Sequence, residues 1–421
     1  MKIWILQTGE PLHVDCGATR PMRAMNLANA LVEAGHSVTL ISSAFNHTTK
    51  SHRTRKFSEI NINDNLQIRL IPSPGYFKHQ GLSRLFDHAV LAKNLAKHLN
   101  GATEVPDVAF VGFPPIEVAY VFTKWLKSRG VPHLLDVKDQ WPQLFVNALP
   151  LAARPIGRIV FSPYFYMAKK AMQNASGISS MAQGFLDWAL NFVGRQQNTN
   201  DRVVPLTSPQ RPVEVADHQA ASAFWQHMGV STVRTKVVFI GTHSVAFDMS
   251  AVVDAARYFA SKDNNVDFVI CGEGPMSIKW QQAFGNARNV FFPGWIDRAQ
   301  IEVLLESSLA VLAPYFNTEN FLVNVPNKVV DGLSYGKPIL TGLRGEVEAL
   351  VKDHFVGLFY GEGGKSLEHC IEELLSDEQL LLKIENNASS LYSDRFEFNR
   401  VYNDLVAHLE YLSNKKEVPL K

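Results

Sequence analysis

Short apolar runs alternate with amphipathic stretches along most of the chain, and this alternation predicts strands and helices in turn. Residues 2–7 (KIWILQ) form an apolar run, residues 21–34 show helical spacing, and residues 37–42 (SVTLIS) form the next run. Both runs are apolar enough to be covered on two faces, as strands of a parallel sheet are. The same order of strand, helix and strand returns at residues 107–113, 116–128 and 133–139.

A polar stretch rich in Asn, Gln and Pro, residues 195–219, is the predicted linker, and the alternation restarts after it. Strands are then predicted at residues 236–240, 267–271, 289–293, 309–314 and 338–342, with helices at 249–261, 327–335 and about 397–413. The pattern predicts an α/β protein with two doubly wound, Rossmann-like domains that face each other across a cleft. Their predicted bounds are residues 1–204 and 205–395, with a final segment, 396–421, that crosses back to the N-terminal domain.

Length and composition agree with this organisation, since 421 residues fit two domains of about 200 residues each. The cysteines Cys16, Cys271 and Cys370 are far apart, which favours a reducing compartment without disulfides. No secretion signal and no apolar stretch of about 18 residues is visible in the sequence, and we therefore expect a cytoplasmic protein.

The charge is divided unevenly between the two halves. Residues 1–205 contain 22 Lys and Arg against 13 Asp and Glu, whereas the remainder contains 19 against 27. A basic half suits an anionic membrane surface, a polyphosphate lipid or nucleic acid, and chance asymmetry is the alternative. The acidic half argues against nucleic acid wrapped around the whole molecule, so we expect no nucleic-acid partner.

The segment VPNKVVDGLSYGKPIL, residues 325–340, carries the strongest chemical signal. The predicted helix starts at Asn327, and its first turn leaves backbone N–H groups and a positive dipole end that favour a diphosphate. Lys328 adds a positive charge beside them, and Asp331, one turn further, is suited to accept hydrogen bonds from ribose hydroxyls. A charged helix start with an exposed lysine explains the same residues without a ligand.

This segment resembles the signature of family-4 glycosyltransferases of the GT-B fold, especially their bacterial surface-polysaccharide branch. Asp331 takes the position of the carboxylate that binds the donor ribose in that family, and Lys328 takes the adjoining basic position. The resemblance extends to residues 19–42, to the DVKDQWP loop at 136–142 and to the strand ends FIGTHSVAFDM, ICGEGP and FFPGW. Two positions depart from the family: Val323 replaces an acidic residue, and residues 244–247 lack a basic one.

Three strand-end loops of the C-terminal half complete the predicted donor site. Gly241, Thr242 and His243 are expected at the diphosphate, although an ordinary tight turn explains the glycine equally well. In the resemblance, GEGP closes the nucleotide pocket, and the backbone amides of the following loop contact the base. The loop residues assigned to the donor in this way are Gly272, Gly274, Trp295 and Ile296, and packing against neighbours is the alternative for Trp295.

The predicted acceptor or phosphate residues lie in the N-terminal half. Gly17 permits a close backbone approach, and Arg20 is placed to neutralise a phosphate, with a solvated helix start as the alternative. Asp136 and Asp139 follow a predicted strand. We assign a catalytic role to Asp139, orienting the acceptor hydroxyl, and to Lys328 at the departing diphosphate, while helix capping remains the alternative for the aspartates.

Residues 157–172 combine aromatic and aliphatic side chains with flanking Arg and Lys, which fits either a membrane interface or a core helix with snorkelling ends. No metal site and no cofactor are expected besides a nucleoside diphosphate sugar as co-substrate. The resemblance implies a metal-independent, retaining glycosyltransferase, with UDP favoured, acting on a glycan or lipid-diphosphate-linked acceptor in surface-polysaccharide synthesis. The alternatives are a sugar-nucleotide epimerase and a non-catalytic two-lobed binding protein.

Overall fold

The computed structural model describes residues 1–15, 21–77, 81–207, 213–231, 233–262, 265–361 and 363–415. The chain divides into two compact units. Unit 1 comprises Met1–Val204 and Asn399–Lys421, and unit 2 comprises Pro205–Phe398.

Unit 1 is built on a sheet that has eight strands among its described residues, in the order β10-β9-β8-β7-β1-β2-β6-β5. Its neighbouring strands are parallel except for the β5–β6 pair at one edge. The strands are β1 Lys2–Leu6, β2 Ser37–Ser43, β5 Ser58–Asn63, β6 Leu66–Ile71, β7 Val108–Phe113, β8 His133–Val137, β9 Gly177–Ser180 and β10 Arg202–Val203, with a separate small hairpin of β3 Phe45–Asn46 and β4 Ser51–His52.

The helices of unit 1 lie between these strands in the chain and pack on the sheet. They are α1 Arg23–Glu33, α2 Leu82–Asn100, α3 Ile116–Ser128, α4 Gln143–Asn147, α5 Arg154–Val160, α6 Ser162–Asn174 and α7 Gln183–Val193. Helices α2, α3 and α6 are neighbours in one layer over a core rich in Leu, Val and Phe. The β5–β6 hairpin was not predicted, because its half-exposed edge strand alternates polar and apolar residues instead of forming an apolar run.

Unit 2 contains a parallel sheet with the order β13-β12-β11-β14-β15-β16 in its described part. The strands are β11 Thr235–Ile240, β12 Val266–Cys271, β13 Val290–Gly294, β14 Ala310–Ala313, β15 Ile339–Thr341 and β16 Gly357–Phe359. The helices are α8 Val215–His227, α9 Ser250–Ser261, α10 Ser277–Phe284, α11 Arg298–Glu306, α12 Glu319–Leu322, α13 Asn327–Ser334, α14 Glu346–His354, α15 Leu367–Ser376 and α16 Glu378–Leu391. The α/β class with parallel sheets, predicted from the apolar runs, is confirmed.

The last helix, α17 Phe398–Asn414, is held by side chains of unit 1. Arg202 donates a hydrogen bond to the Asp404 carbonyl (2.7 Å), and the His408 ring bonds the Asn200 carbonyl (2.9 Å). Within the described residues, the structure has no helix that is both long and apolar enough to cross a bilayer.

Two predictions, about residues 195–219 and residues 157–172, need correction. The predicted linker 195–219 is not one irregular segment, because it contains the β10 strand and helix α8 begins at Val215. The core-helix interpretation of residues 157–172 is wrong for α5, whose aliphatic side chains are exposed. Helix α6 does bury Ala168, Ala171 and Met172 on its inner face.

Candidate functional site

The N-terminus of α13 presents a lysine to the loop that follows β11. The Lys328 ammonium donates a hydrogen bond to the Ile240 carbonyl (2.7 Å) and lies 4.7 and 4.8 Å from the ring centroids of Phe239 and Phe247. A β-carbon on Gly241, which has φ +146°, would lie 1.9 Å from this ammonium. The glycine is therefore needed for the lysine to approach the loop, and the ammonium is held at the end of strand β11.

The helix begins without a side-chain cap, and Pro326 is its N-cap residue. The N–H groups of Val329 and Val330 bond the Pro326 carbonyl, while Asn327 is exposed at the first position. The N-terminus of a helix carries a partial positive charge that favours an anion, and the lysine adds to that charge.

Three strand-end loops of unit 2 interlock through their backbones. Gly241 N–H donates to the Cys271 carbonyl (3.0 Å), His243 N–H to the Glu273 carbonyl (3.0 Å), and Gly272 N–H to the Gly294 carbonyl (2.7 Å). These bonds join three loops that the sequence identified separately. Since a side chain at the glycines would collide with a neighbouring loop, the arrangement depends on them: a β-carbon on Gly272 or Gly274 would lie 2.1 Å from the Gly241 carbonyl or 2.4 Å from the His243 carbonyl.

A cavity of about 290 Å³ opens between these loops. Its wall includes Ser277 and Gln281 on α10 and Phe292 on β13, none of which the sequence analysis singled out. The Ser277 hydroxyl bonds both the Gly274 N–H and the His243 ring (2.9 Å each). Ser277 therefore joins the two loops through polar contacts. In the sequence, only its position shortly after GEGP indicates that it belongs to this site.

The predicted donor residues differ in exposure. His243 is buried between the loops, where burial lowers the pKa of its ring and the charge of Lys328 lowers it further. Thr242 is exposed and Ile296 is half-buried. The Trp295 side chain is 62% exposed, so the interpretation that it packs against its neighbours is wrong.

Asp331 lies half-buried on α13, one turn after the helix start. Its charge reaches three tyrosines, Tyr315, Tyr335 and Tyr392, and contributes to raising the pKa of each hydroxyl, although burial is the largest cause in each case. Burial, Glu302 and Asp331 together raise the pKa of Tyr335 to about 12. Val323, which stands where related enzymes have an acid, is the C-cap of α12. Glu319 is in the first turn of the same short helix.

In unit 1, residues that follow the strands β1, β2, β6, β7 and β8 enclose a second cavity, of about 160 Å³. Asp139 is in its wall, and burial raises the pKa of this carboxyl to about 6, although Arg84 and Lys138 lower it. Neither Asp139 nor Asp136 caps α4, whose N-cap is Pro142. The capping alternative is thus excluded for that helix, and Asp139 stays a candidate at a polar cavity.

Asp136 is fully buried, which places it away from direct substrate contact. Arg23 pairs with it: Nη2 donates a hydrogen bond to Oδ1 (3.0 Å), and Nε lies 2.8 Å from Oδ2. The Ser179 hydroxyl donates to the same carboxylate (2.9 Å). Arg23 also donates to the Val204 carbonyl (2.6 Å), the last residue of unit 1 before the chain enters unit 2. The sequence analysis missed Arg23, because its partner lies 113 residues away.

A second, partly buried pair stands beside it. Lys138 bonds Glu10 and also donates to the Gln7 side chain (3.2 Å), while Glu10 accepts from the Ala24 N–H (2.9 Å). Lys138 and Glu10 line the cavity, and Lys138 also lies 3.9 Å from Asp136, so positive and negative charges alternate at this edge. The other predicted residues of this half, Gly17 and Arg20, lie outside the residues that the structure describes.

Three comparisons with known proteins place the chain. Residues 231–391, all within unit 2, match the family model described as "Glycosyl transferases group 1". No curated protein matches the sequence significantly.

Solved glycosyltransferase structures share the fold over nearly the whole chain. Sucrose-phosphate synthase from Thermosynechococcus elongatus has a TM-score of 0.70 at 13% identity, covering 98% of each chain. HepE of Anabaena, solved with UDP-glucose, has 0.64 at 16%, covering 98% of this chain and 100% of its own. WaaG, a glycosyltransferase involved in lipopolysaccharide biosynthesis, has 0.60 at 14%, covering 97% and 99%. The chain has the GT-B fold, and the family match supports a group 1 glycosyltransferase.

Proposed function

We propose that this chain transfers a sugar from a nucleoside diphosphate sugar, with UDP favoured, to a hydroxyl group of a glycan or lipid-linked glycan. The observation that carries the proposal is the α13 N-terminus, where the positive end of the helix and Lys328 meet the interlocked loops at Gly241 and Gly272. HepE, which shares the fold, was solved with UDP-glucose, and this supports UDP as the nucleotide.

In the proposed reaction the bond between the sugar and the diphosphate breaks as the acceptor oxygen bonds the anomeric carbon. Negative charge develops on the departing diphosphate, and donors fixed before the reaction stabilise it most effectively. Lys328 and the first amides of α13 perform this task. The acceptor oxygen approaches the anomeric carbon from the face that the diphosphate leaves, and its proton passes to the leaving phosphate. The sugar therefore keeps its anomeric configuration, and no metal takes part.

Asp139 orients the acceptor in this proposal. Its carboxylate lies at the polar cavity of unit 1, and as an ionised group it accepts a hydrogen bond from the acceptor hydroxyl. Holding the two reacting atoms in register supplies much of the rate enhancement in such reactions. Asp136, which Arg23 holds in place, positions the loop rather than the substrate.

Within the glycosyltransferases, we assign this chain to family 4, in the branch that builds cell-surface polysaccharide. The acceptor is then a glycan carried on a lipid diphosphate, and the enzyme is cytoplasmic and works at the inner face of the membrane. The similarity of the DVKDQWP and VPNKVVDGLSYGKP segments to that branch supports this assignment, as does the shared fold of WaaG.

Calorimetric titration with UDP tests the donor site. We expect Asp331→Ala to bind UDP about tenfold to a hundredfold more weakly, because hydrogen bonds to a charged group contribute about 1.5–3 kcal/mol. Asp353→Ala, an exposed carboxylate on α14, is the matched control and should bind like the unaltered protein. Absence of UDP binding in the unaltered protein, or equal affinity in both variants, contradicts the proposal.

A second measurement separates transfer from epimerisation. Incubation with UDP-glucose and a bacterial lipid extract should release UDP only when the extract is present. An epimerase would instead convert the sugar nucleotide without any acceptor, and a binding protein would leave it unchanged.

A further inference from the structure

Helix α5 of unit 1 exposes the side that a helix normally buries. Ile156, Ile159 and Val160 have the spacing i, i+3, i+4, which puts them on one face, and they are 66%, 75% and 64% exposed. Gly157 is the buried residue of this helix, and a β-carbon on it would lie 2.3 Å from Leu149. Leu151, just before the helix, is also exposed.

A second exposed apolar group stands at the start of α2. Leu82 and Phe86, one turn apart, are exposed, as is Phe77. Monomeric proteins rarely expose several large apolar side chains together without a binding partner.

Aromatic contacts join the helices that carry the two groups. The Arg84 guanidinium lies 5.0 Å from the Trp141 ring, which is 4.6 Å from Phe145. Phe145 in turn is 5.4 Å from Phe161, the residue between α5 and α6. Trp141 is buried, so these contacts lie beneath the surface, and the inference below uses the group at α5. We call this group the apolar face; it consists of Leu151, Ile156, Ile159 and Val160.

The charge around the apolar face has one sign. The sequence has no acidic residue between Asp139 and Asp187, and none between Asp64 and Asp87. In the first of these stretches Arg158, Lys169 and Lys170 are exposed. An apolar surface bordered by cations complements an anionic bilayer, where aliphatic burial and attraction to lipid headgroups add. Two copies of the face would place like charges opposite each other, which disfavours a symmetric dimer.

We propose that the apolar face inserts into the interface of an anionic lipid bilayer, with Arg158, Lys169 and Lys170 at the headgroups. The proposal adds a docking surface to the lipid-linked acceptor of the proposed function and rests on it for its biological purpose. Binding to vesicles can nevertheless be measured independently of the proposed function, because it requires neither nucleotide nor acceptor.

Flotation of the full-length protein with vesicles tests the inference. We expect binding to vesicles of phosphatidylcholine with 30% phosphatidylglycerol, weaker binding to pure phosphatidylcholine, and loss of binding as salt increases. The double variant Ile156→Ser/Ile159→Ser should bind the anionic vesicles at least about tenfold more weakly. Lys169→Gln/Lys170→Gln should weaken binding on the order of tenfold.

The matched control is Val215→Ser/Leu382→Ser, which removes two exposed aliphatic side chains from unit 2 and should bind vesicles normally. No binding of the unaltered protein to anionic vesicles overturns the inference, and so does normal binding by the Ile156/Ile159 variant. Sedimentation velocity without lipid gives a third outcome: a dimer lost in that variant would show that a second copy covers the face instead. UDP titration of the same samples is expected to be unchanged, so failure of the donor site and failure of the docking surface are distinguishable.

Discussion

The strand ends of the two units are held together by different means. In unit 2 the loops after β11, β12 and β13 are joined by backbone hydrogen bonds and by glycines that permit close contact. In unit 1 the corresponding edge contains two ion pairs, a buried one between Arg23 and Asp136 and a partly buried one between Lys138 and Glu10. The site of unit 2, which backbone contacts form, therefore tolerates little change at its glycines. The site of unit 1 depends instead on side chains of matched charge.

The largest expected effect concerns the buried pair of unit 1. Arg23→Met leaves the Asp136 carboxylate buried without its bidentate partner, and we expect the free energy of unfolding to fall by about 3–5 kcal/mol in urea denaturation. The control Glu59→Gln breaks the Arg69–Glu59 pair, whose glutamate is exposed, and should cost about 0–1 kcal/mol. Similar losses of stability in the two variants would show that the buried pair of unit 1 contributes no more than a surface pair.

The next largest effect concerns the charge at the donor loops. Lys328→Ala should lower the rate of UDP release about a hundredfold, because a fixed donor at the departing diphosphate is removed. Lys352→Ala, which breaks a surface pair with Glu348, should leave the rate unchanged. A normal rate for Lys328→Ala would mean that the helix amides act without the lysine.

A pair of glycine substitutions tests the site of unit 2. Gly272 has φ +113°, and the β-carbon of an alanine there would lie 2.1 Å from the Gly241 carbonyl. We therefore expect Gly272→Ala to lower the free energy of unfolding by roughly 1–3 kcal/mol and to weaken UDP binding. Gly194→Ala, in unit 1, has φ +77° but open space around the new carbon. It should cost about 1–2 kcal/mol through the left-handed backbone alone. Calorimetry should show its UDP affinity unchanged.

The smallest effect is the pH dependence due to Asp139. Burial raises the pKa of its carboxyl to about 6, so the ionised form that accepts a hydrogen bond is populated above that pH. The transfer rate should rise about tenfold between pH 5 and pH 7, and Asp139→Asn should be slower and lack this rise. Because the folded-state pKa lies above the ordinary 3.8, the stabilising contribution is present below pH 3.8 and is lost as pH rises through 6. The urea midpoint of the unaltered protein, relative to that of Asp139→Asn, should therefore fall as the pH rises through 6.

The contrast between the units also explains which residues could be predicted. Lys328 and Asp331 fall within one helical segment, and the apolar runs before the loops are contiguous, so local pattern was sufficient for them. Arg23 sits in a helix whose spacing offers no sign that it is buried, and its partners Asp136 and Val204 lie 113 and 181 residues away. Pairing at such distances leaves no periodic signal in a single sequence.

The sequence by itself determined the parallel α/β class, because buried strands of such sheets are continuous apolar runs separated by helices. It also determined that a lysine and a carboxylate lie within one turn of each other at the start of α13, since both belong to a single helical segment. Only the tertiary structure decided which polar residues are buried as pairs and which apolar residues, such as Ile159, remain exposed. Burial is a property of what packs against a side chain, and those neighbours come from distant parts of the chain.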